Sequence, residues 1–221
     1  MAYTRIKFCG MTRAADVATA IALGVDALGF VCVPGSKRFV SEAQLAELVS
    51  AAGSVQTIAL LQDASRSFIE SVLATASITT LQFHGAETPE FCGSFGLPFI
   101  KAVPMADQPD LLAFSASYQQ ASALLLDSHS ILDSQKTGGS GHKFVWTDAV
   151  DALRLTQKLH PPIRWFLAGG LNAENVAAGI AALNPYAVDV SSGIELSVGV
   201  KSREKMRAFI ESVRASDDTS I

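Results

Sequence analysis

The chain has 221 residues, of which 49% are hydrophobic and 17% are charged, and its formal net charge is −4. This length suits one domain or two with a well-buried core. The negative charge argues against a general nucleic-acid or anionic-membrane surface, although it leaves room for a local site that binds an anionic metabolite.

The cysteines and the amino terminus indicate a cytoplasmic protein. The chain has three cysteines, Cys9, Cys32 and Cys92. Their odd number and the lack of C-x-x-C spacing predict reduced thiols. The first five residues lack the basic and apolar regions of a secretory signal. The most apolar run, 18–33, contains Asp26 and two glycines, which argues against a membrane span of about 20 apolar residues. We therefore expect neither a membrane nor a nucleic-acid partner.

Short apolar strands alternate with amphipathic helices along the whole chain. The predicted strands occupy residues 6–9, 27–31, 57–61, 80–84, 99–103, 123–127, 165–168 and 187–190. The predicted helices occupy residues 13–23, 41–51, 67–76, 89–95, 109–120, 147–159, 172–183 and 202–213, four of which begin at the capping residues Ser41, Thr147, Asn172 and Ser202. Residues 215–221 form a polar tail that we expect to fray.

Eight strand–helix pairs predict an α/β fold with a parallel sheet and right-handed crossovers. Such a sheet is either open and doubly wound or closed into a barrel. Closure is favoured because the pairs number eight and no strand has the polar character of an edge. The sequence therefore predicts a single-domain (β/α)8 TIM barrel over residues 1–214, with its chemistry at the carboxyl ends of the strands.

The first strand carries a lysine and a thiol on one face. Because side chains alternate along a strand, Ile6 and Phe8 share an apolar face, and Lys7 and Cys9 share the other. Burying both polar groups against helices is costly, so this second face is predicted to line the barrel and its mouth. There Cys9 would accept protons and Lys7 would favour the thiolate. The alternative is that Cys9 is a small core residue.

Three further strand ends carry candidate side chains. Arg38, after strand two, would bind a carboxylate, or else is a solvated loop arginine. Gln82 and His84 end strand four on one face, where His84 contacts ligand or makes a structural hydrogen bond. Asp127 closes the apolar strand six, so burial would keep part of it protonated and suit it to a general acid, unless it is a cap or an ion-pair partner. Three steps round the barrel would place it opposite Cys9.

The loops after strands six, seven and eight are rich in glycine, and barrels commonly bind phosphate there through backbone N–H groups. The alternative is a set of tight turns that need positive φ. The candidate phosphate-binding residues are Gly139, Gly141, Gly169, Gly170, Ser192 and Gly193. The four histidines are scattered and no His–Cys cluster has ligand spacing, so we expect no metal and no cofactor.

Taken in order, the motifs at these strand ends form a specific set. They are 7–12 (KFCGMT), 36–41 (SKRFVS), 82–85 (QFHG), 127–128 (DS), 138–141 (GGSG), 169–171 (GGL) and 189–195 (DVSSGIE). Over nearly its whole length the chain resembles the phosphoribosylanthranilate isomerase family of tryptophan biosynthesis.

The resemblance implies an Amadori rearrangement of N-(5-phosphoribosyl)anthranilate to 1-(2-carboxyphenylamino)-1-deoxyribulose 5-phosphate. It implies that Cys9 is the general base, that Asp127 is the general acid and that Arg38 meets the anthranilate carboxylate. The substrate-binding set would be Lys7, Arg38, Gln82 and His84, with the glycine loops on the phosphate. No cofactor is needed, because an iminium is the electron sink. We expect a monomer whose partner is this small-molecule substrate.

Three positions depart from the family pattern, and two other functions remain open. Lys37 replaces a proline beside Arg38, Ser140 replaces a threonine, and Val145 stands where an aspartate is common. One alternative is the aldose–ketose isomerase of the histidine pathway, which uses an aspartate pair, so that Cys9 argues against it. The other is a non-catalytic phosphate-binding barrel, whose function would survive substitution of Cys9. A fused indole-glycerol-phosphate synthase is not supported, since the chain is one barrel long.

Overall fold

The computed structural model describes residues 3–128, 156 and 162–219. Eight parallel strands pair in chain order, and β1 also pairs with β8, with Phe8 opposite Val190. The sheet is therefore closed, which confirms the predicted (β/α)8 barrel and excludes the open doubly wound sheet. The strands are β1 (Arg5–Cys9), β2 (Ala27–Val31), β3 (Gln56–Leu61), β4 (Thr80–Phe83), β5 (Phe99–Pro104), β6 (Ala123–Asp127), β7 (Trp165–Leu167) and β8 (Ala187–Val190).

In the described residues, the helices follow the strands along the chain. They are α1 (Ala14–Ala22), α2 (Glu42–Ala52), α3 (Arg66–Thr75), α4 (Pro89–Gly93), α5 (Leu111–Ser117), α6 (Val176–Leu183) and α7 (Arg203–Thr219). Ser41 starts α2 with a capping box closed by Gln44. The Asn172 side chain accepts the N–H groups of Glu174 and Asn175, and α6 itself begins only at Val176. The helix predicted over residues 147–159 lies outside the described residues except for Thr156.

Apolar side chains pack on both sides of the barrel wall. Ile6 and Phe8 point outward into the core beneath the helices, where Phe8 meets Phe209 edge to face at 6.2 Å between ring centroids. Ile100 and Leu125 belong to a second cluster that fills the barrel interior. The alternation predicted for β1 is thus confirmed on its apolar side, and the opposite face points into the barrel.

The end of the chain differs from the prediction. Helix α7 continues through Thr219, so the expectation that residues 215–219 fray is wrong. The buried Asp217 accepts the Thr4 backbone N–H at 3.1 Å and pairs with Arg214 at 2.8 Å. These contacts tie the last turn to the start of β1, and the polar composition of the segment does not reveal them.

A short hairpin, also unpredicted, follows β8. Its strands are β9 (Glu195–Ser197) and β10 (Val200–Lys201), which pair antiparallel. Glu195 and Lys201 on this hairpin are buried, while Leu196 is 70% exposed. The hairpin therefore delivers two charged side chains to the interior. Among the described helices, none is long and apolar enough to cross a membrane.

Candidate active site

The inward face of β1 carries the predicted lysine and thiol. Lys7 is fully buried and Cys9 is 6% exposed. The Lys7 ammonium pairs with the buried Asp189 of β8, with Nζ 2.9 Å from Oδ1. Gly29 on β2 makes the space: a Cβ there would lie 2.9 Å from Cys9 Sγ and 3.1 Å from Lys7 Nζ. A glycine at this strand position therefore admits both side chains to the mouth of the barrel.

Burial and nearby charges act in opposite directions on the Cys9 thiol. Burial raises the pKa of the Cys9 thiol, Lys7 lowers it and Asp189 raises it again, and the net shift is upward. Lys7 does favour the thiolate, and the adjacent Asp189 carboxylate offsets part of this effect. Burial lowers the pKa of Lys7, whereas Asp189 and Cys9 raise it to above its ordinary value. Lys7 therefore acts on the Cys9 thiol in the predicted direction, but burial outweighs its effect.

Arg38 is buried and ion-paired rather than solvated. Its Nε and Nη2 donate to the two carboxylate oxygens of Glu195 at 2.8 and 2.7 Å. Gly10, with φ +71°, passes directly under this arginine: a Cβ there would lie 2.5 Å from Arg38 Cδ. Lys37, the departure from the family pattern, is exposed. Arg38 is thus fixed at the mouth beside the end of β1.

Gln82, His84 and Asp127 come together on the opposite side of the mouth. The Gln82 side-chain amide, which is fully buried, contacts Nε2 of His84. The other ring nitrogen, Nδ1, lies 3.9 Å from Asp127 Oδ2. If Gln82 donates its N–H, the neutral imidazole carries its proton on Nδ1, toward the carboxylate. Within the described part of the chain, Gln82 Oε1 has no hydrogen-bond partner.

The loops after β6, β7 and β8 converge where a phosphate site was predicted. Gly169 has φ +82°, and a Cβ on it would lie 2.9 Å from the Ser128 backbone nitrogen. A Cβ on Gly193 would overlap the Leu171 carbonyl oxygen. Gly170 has φ +69°. Both packing and positive φ therefore require glycine in these loops. The tight turns that were the alternative prediction are thus present, and they are compatible with anion binding by the N–H groups of the loops.

Comparison with known proteins agrees with this geometry. Residues 6–212 match the family described as N-(5'phosphoribosyl)anthranilate (PRA) isomerase. The chain belongs to this family. It is an isomerase of this type, and the family's pathway is tryptophan biosynthesis.

Individual members of the family match over almost their full length. N-(5'-phosphoribosyl)anthranilate isomerase of Ralstonia nicotianae is 44% identical, with 97% of this chain and 94% of the relative aligned. The crystal structure of the Thermus thermophilus isomerase superposes with a TM-score of 0.82 at 35% identity, covering 96% of this chain and 99% of that one. A phosphoribosyl anthranilate isomerase in complex with reduced 1-(o-carboxyphenylamino)-1-deoxyribulose 5-phosphate gives a TM-score of 0.78 at 27% identity, covering 96% and 99%.

Three charged residues of this family member were not assigned roles from the sequence. Asp189, Glu195 and Lys201 are all buried and ion-paired within the site. Asp189 interrupts the apolar strand Ala187–Val190, and a charge in a buried strand is a usable signal. Lys201 gives no comparable signal, because the hairpin that buries it has no clear sequence pattern.

Some predictions fall on residues that are not described. Gly139 and Gly141 of the phosphate set lie outside the described residues, as do Ser140 and Val145. Of the loop after β6, the structure therefore contributes only Ser128 to the site. The expected absence of metal and cofactor, and the monomeric state, stay predictions.

Proposed function

We propose that the chain catalyses the Amadori rearrangement of N-(5-phosphoribosyl)anthranilate, with Cys9 as general base and Asp127 as general acid. The observation that carries the proposal is that these two side chains end β1 and β6 of one barrel in a chain of the PRA isomerase family. Strands β1 and β6 lie three steps apart through β8 and β7. A substrate between them would meet both groups at once.

The first step needs a proton donor at the furanose ring oxygen. Asp127 would donate that proton, the bond from C1′ to the ring oxygen would break, and the nitrogen lone pair would form an iminium. The Asp127 side chain is 23% exposed and has His84 beside it, so it can exchange protons with solvent and is held in place. The imidazole would orient the carboxyl group during this transfer.

The second step needs a base at C2′. The Cys9 thiolate would remove this proton, and the electrons of the C–H bond would flow into the iminium to give an enolamine. The enolamine then tautomerises to the ketone. Because the substrate provides its own electron sink, both transfers use only protein side chains, and each contributes about 10²–10⁴-fold.

The anionic groups of the substrate would fix its orientation. A guanidinium has five N–H donors, and Glu195 accepts one from Nε and one from Nη2 of Arg38. The remaining donors support a role for Arg38 in holding the anthranilate carboxylate. The glycine turns at Gly169 and Gly193 would hold the phosphate at the far end. Both anchors lie away from the reacting carbons, so they would act mainly by fixing geometry.

A fluorescence assay tests the proposal. Phosphoribosylanthranilate is generated in situ and its loss is followed with wild type, Cys9→Ala and Asp127→Asn. We expect kcat to fall by about 10²–10⁴-fold in each variant. Cys92→Ala is the matched control, because Cys92 is also buried but lies in the helix α4 and not at a strand end.

The remaining outcomes separate the alternatives. Activity that survives Cys9→Ala would transfer the base to another group, with His84 the next candidate. A wild type that binds substrate without consuming it would favour a binding barrel. Consumption only of the aldose substrate of the histidine pathway would favour that isomerase instead.

A further inference from the structure

Lys201 joins the end of β1 to the loop after β8. Its side chain is fully buried. Nζ donates to the Cys9 carbonyl oxygen at 2.7 Å, to the Ser191 carbonyl oxygen at 3.1 Å and to Glu195 Oε1 at 2.9 Å. An ammonium has three N–H donors, so these three acceptors satisfy it. The lysine therefore fixes the backbone of the residue that carries the reactive thiol.

The same ammonium helps to hold Arg38. Glu195 is shared: Oε1 accepts from Lys201, Arg38 Nε and the Gly199 N–H, while Oε2 accepts from Arg38 Nη2. Burial raises the pKa of Glu195, but Arg38 and Lys201 outweigh it and the pKa lies below its ordinary value. This carboxylate is therefore ionised at neutral pH. One carboxylate between two cations leaves this cluster with a net charge of about +1.

The charges around Cys9 are thus unevenly compensated. The groups that face the thiol are Lys7 on its own strand, Asp189 on β8, Lys201 on β10 and Arg38 after β2. Lys7 and Asp189 form a neutral pair at 2.9 Å. The Lys201–Glu195–Arg38 cluster keeps the surplus positive charge. Burial lowers the pKa of Lys201, while Glu195 and Cys9 raise it, and it lies below the ordinary lysine value.

We propose that Lys201 is a positioning residue for the isomerisation, one that fixes the Cys9 backbone, orients Arg38 through Glu195 and supplies the uncompensated positive charge beside the thiol. This inference rests on the proposed function. It adds the β9–β10 hairpin to a task that the sequence pattern suggested for Lys7 alone. The geometry requires a positive charge and a compact group with three N–H donors at position 201. An arginine there would provide only the positive charge.

Lys201→Met, Lys201→Arg and Lys205→Met test the proposal. Lys205 is the matched control, because its exposed side chain donates to the Glu195 carbonyl oxygen at 2.7 Å. It touches the same hairpin and makes no described contact with Cys9. Two readouts are used: the pH profile of kcat and kcat/KM, and substrate-free titration of the Cys9 thiolate by its ultraviolet absorbance.

We expect Lys201→Met to lower kcat by about tenfold to a hundredfold, the range that a misplaced catalytic group produces. Its thiol titration and the rising limb of kcat/KM should both move to higher pH, because a cation that favours the thiolate has been removed. Lys201→Arg should keep the titration near that of wild type and still lose kcat at least threefold. Lys205→Met should match wild type in both readouts.

An unchanged thiol titration in Lys201→Met, or full kcat in Lys201→Arg, would overturn the proposal. If Lys201→Met does not fold, Lys201→Arg still decides through its kcat. If the wild type has no isomerase activity but the thiol titration still moves in Lys201→Met, the proposed function alone is refuted.

Discussion

The buried pair Lys7–Asp189 allows a quantitative prediction for Lys7→Met. Lys7 is fully buried, its partner is 8% exposed, and the two charges are 2.9 Å apart. With an effective dielectric constant of about 20, their attraction is about 6 kcal/mol. Desolvation cancels part of this, and removal of one partner of a buried pair typically costs about 3–5 kcal/mol. We expect that loss in the free energy of unfolding at neutral pH.

The pH dependence of this loss has a defined sign. Burial raises the pKa of Asp189, and Lys7 lowers it. Without Lys7, the folded-state pKa would lie still higher, above the unfolded value of about 3.9. A group with a raised folded pKa stabilises the protein at low pH and loses that contribution as pH rises through the folded value. The deficit of Lys7→Met should therefore be larger at pH 8 than at pH 5.

Urea unfolding followed by circular dichroism measures these free energies. The double variant Lys7→Met/Asp189→Leu removes the orphaned carboxylate and should recover most of the lost stability, although not the activity. Lys37→Met removes an exposed lysine and serves as the control. A loss below about 1 kcal/mol in Lys7→Met, or a double variant whose loss equals the sum of both single losses, would refute the reasoning.

Two further predictions concern the phosphate loops and the thiols. Gly193→Ala would place a Cβ against the Leu171 carbonyl oxygen, so KM should rise about tenfold or more, because each hydrogen bond to a charged group is worth about 1.5–3 kcal/mol. Steady-state kinetics would check this beside the control Gly93→Ala, whose added methyl would lie 3.0 Å from the end of the flexible Gln120 side chain and 3.9 Å from the Phe99 ring. Iodoacetamide should label Cys9 before the other cysteines, because Cys9 ends β1 and is 6% exposed, against 2% for Cys32 and 0% for Cys92. The rate at Cys9 should keep rising above pH of about 8.5, because burial raises the pKa of this thiol. Mass spectrometry after timed labelling would detect equal reactivity, the contrary result.

Local sequence patterns accounted for most of the barrel. The alternation in Arg5–Cys9 correctly placed Ile6 and Phe8 outside the barrel and Lys7 and Cys9 inside. Ser41 began its helix as the capping pattern predicts. These features depend on residues within one turn or one strand, so a linear pattern is enough to find them.

The end of the chain and the charge pairs depended on distant contacts. Asp217 is ordered by Thr4, 213 residues away, and Lys7 by Asp189, 182 residues away. The amino-acid composition shows that these side chains are polar, but it does not show which partner neutralises each charge. For that reason the expectation that residues 215–219 fray was wrong, and the pairing of Lys7 with Asp189 was not predicted.

By itself, the sequence determined the eight strands of the barrel, the two faces of β1 and the motifs that mark the family. Only the tertiary structure decided which charge lies beside which. It assigned Asp189 to Lys7, and Glu195 to both Arg38 and Lys201. The physical reason is that strand periodicity is a property of neighbouring residues, whereas the electrostatics of a buried thiol depend on groups that closure of the barrel brings together from both ends of the chain.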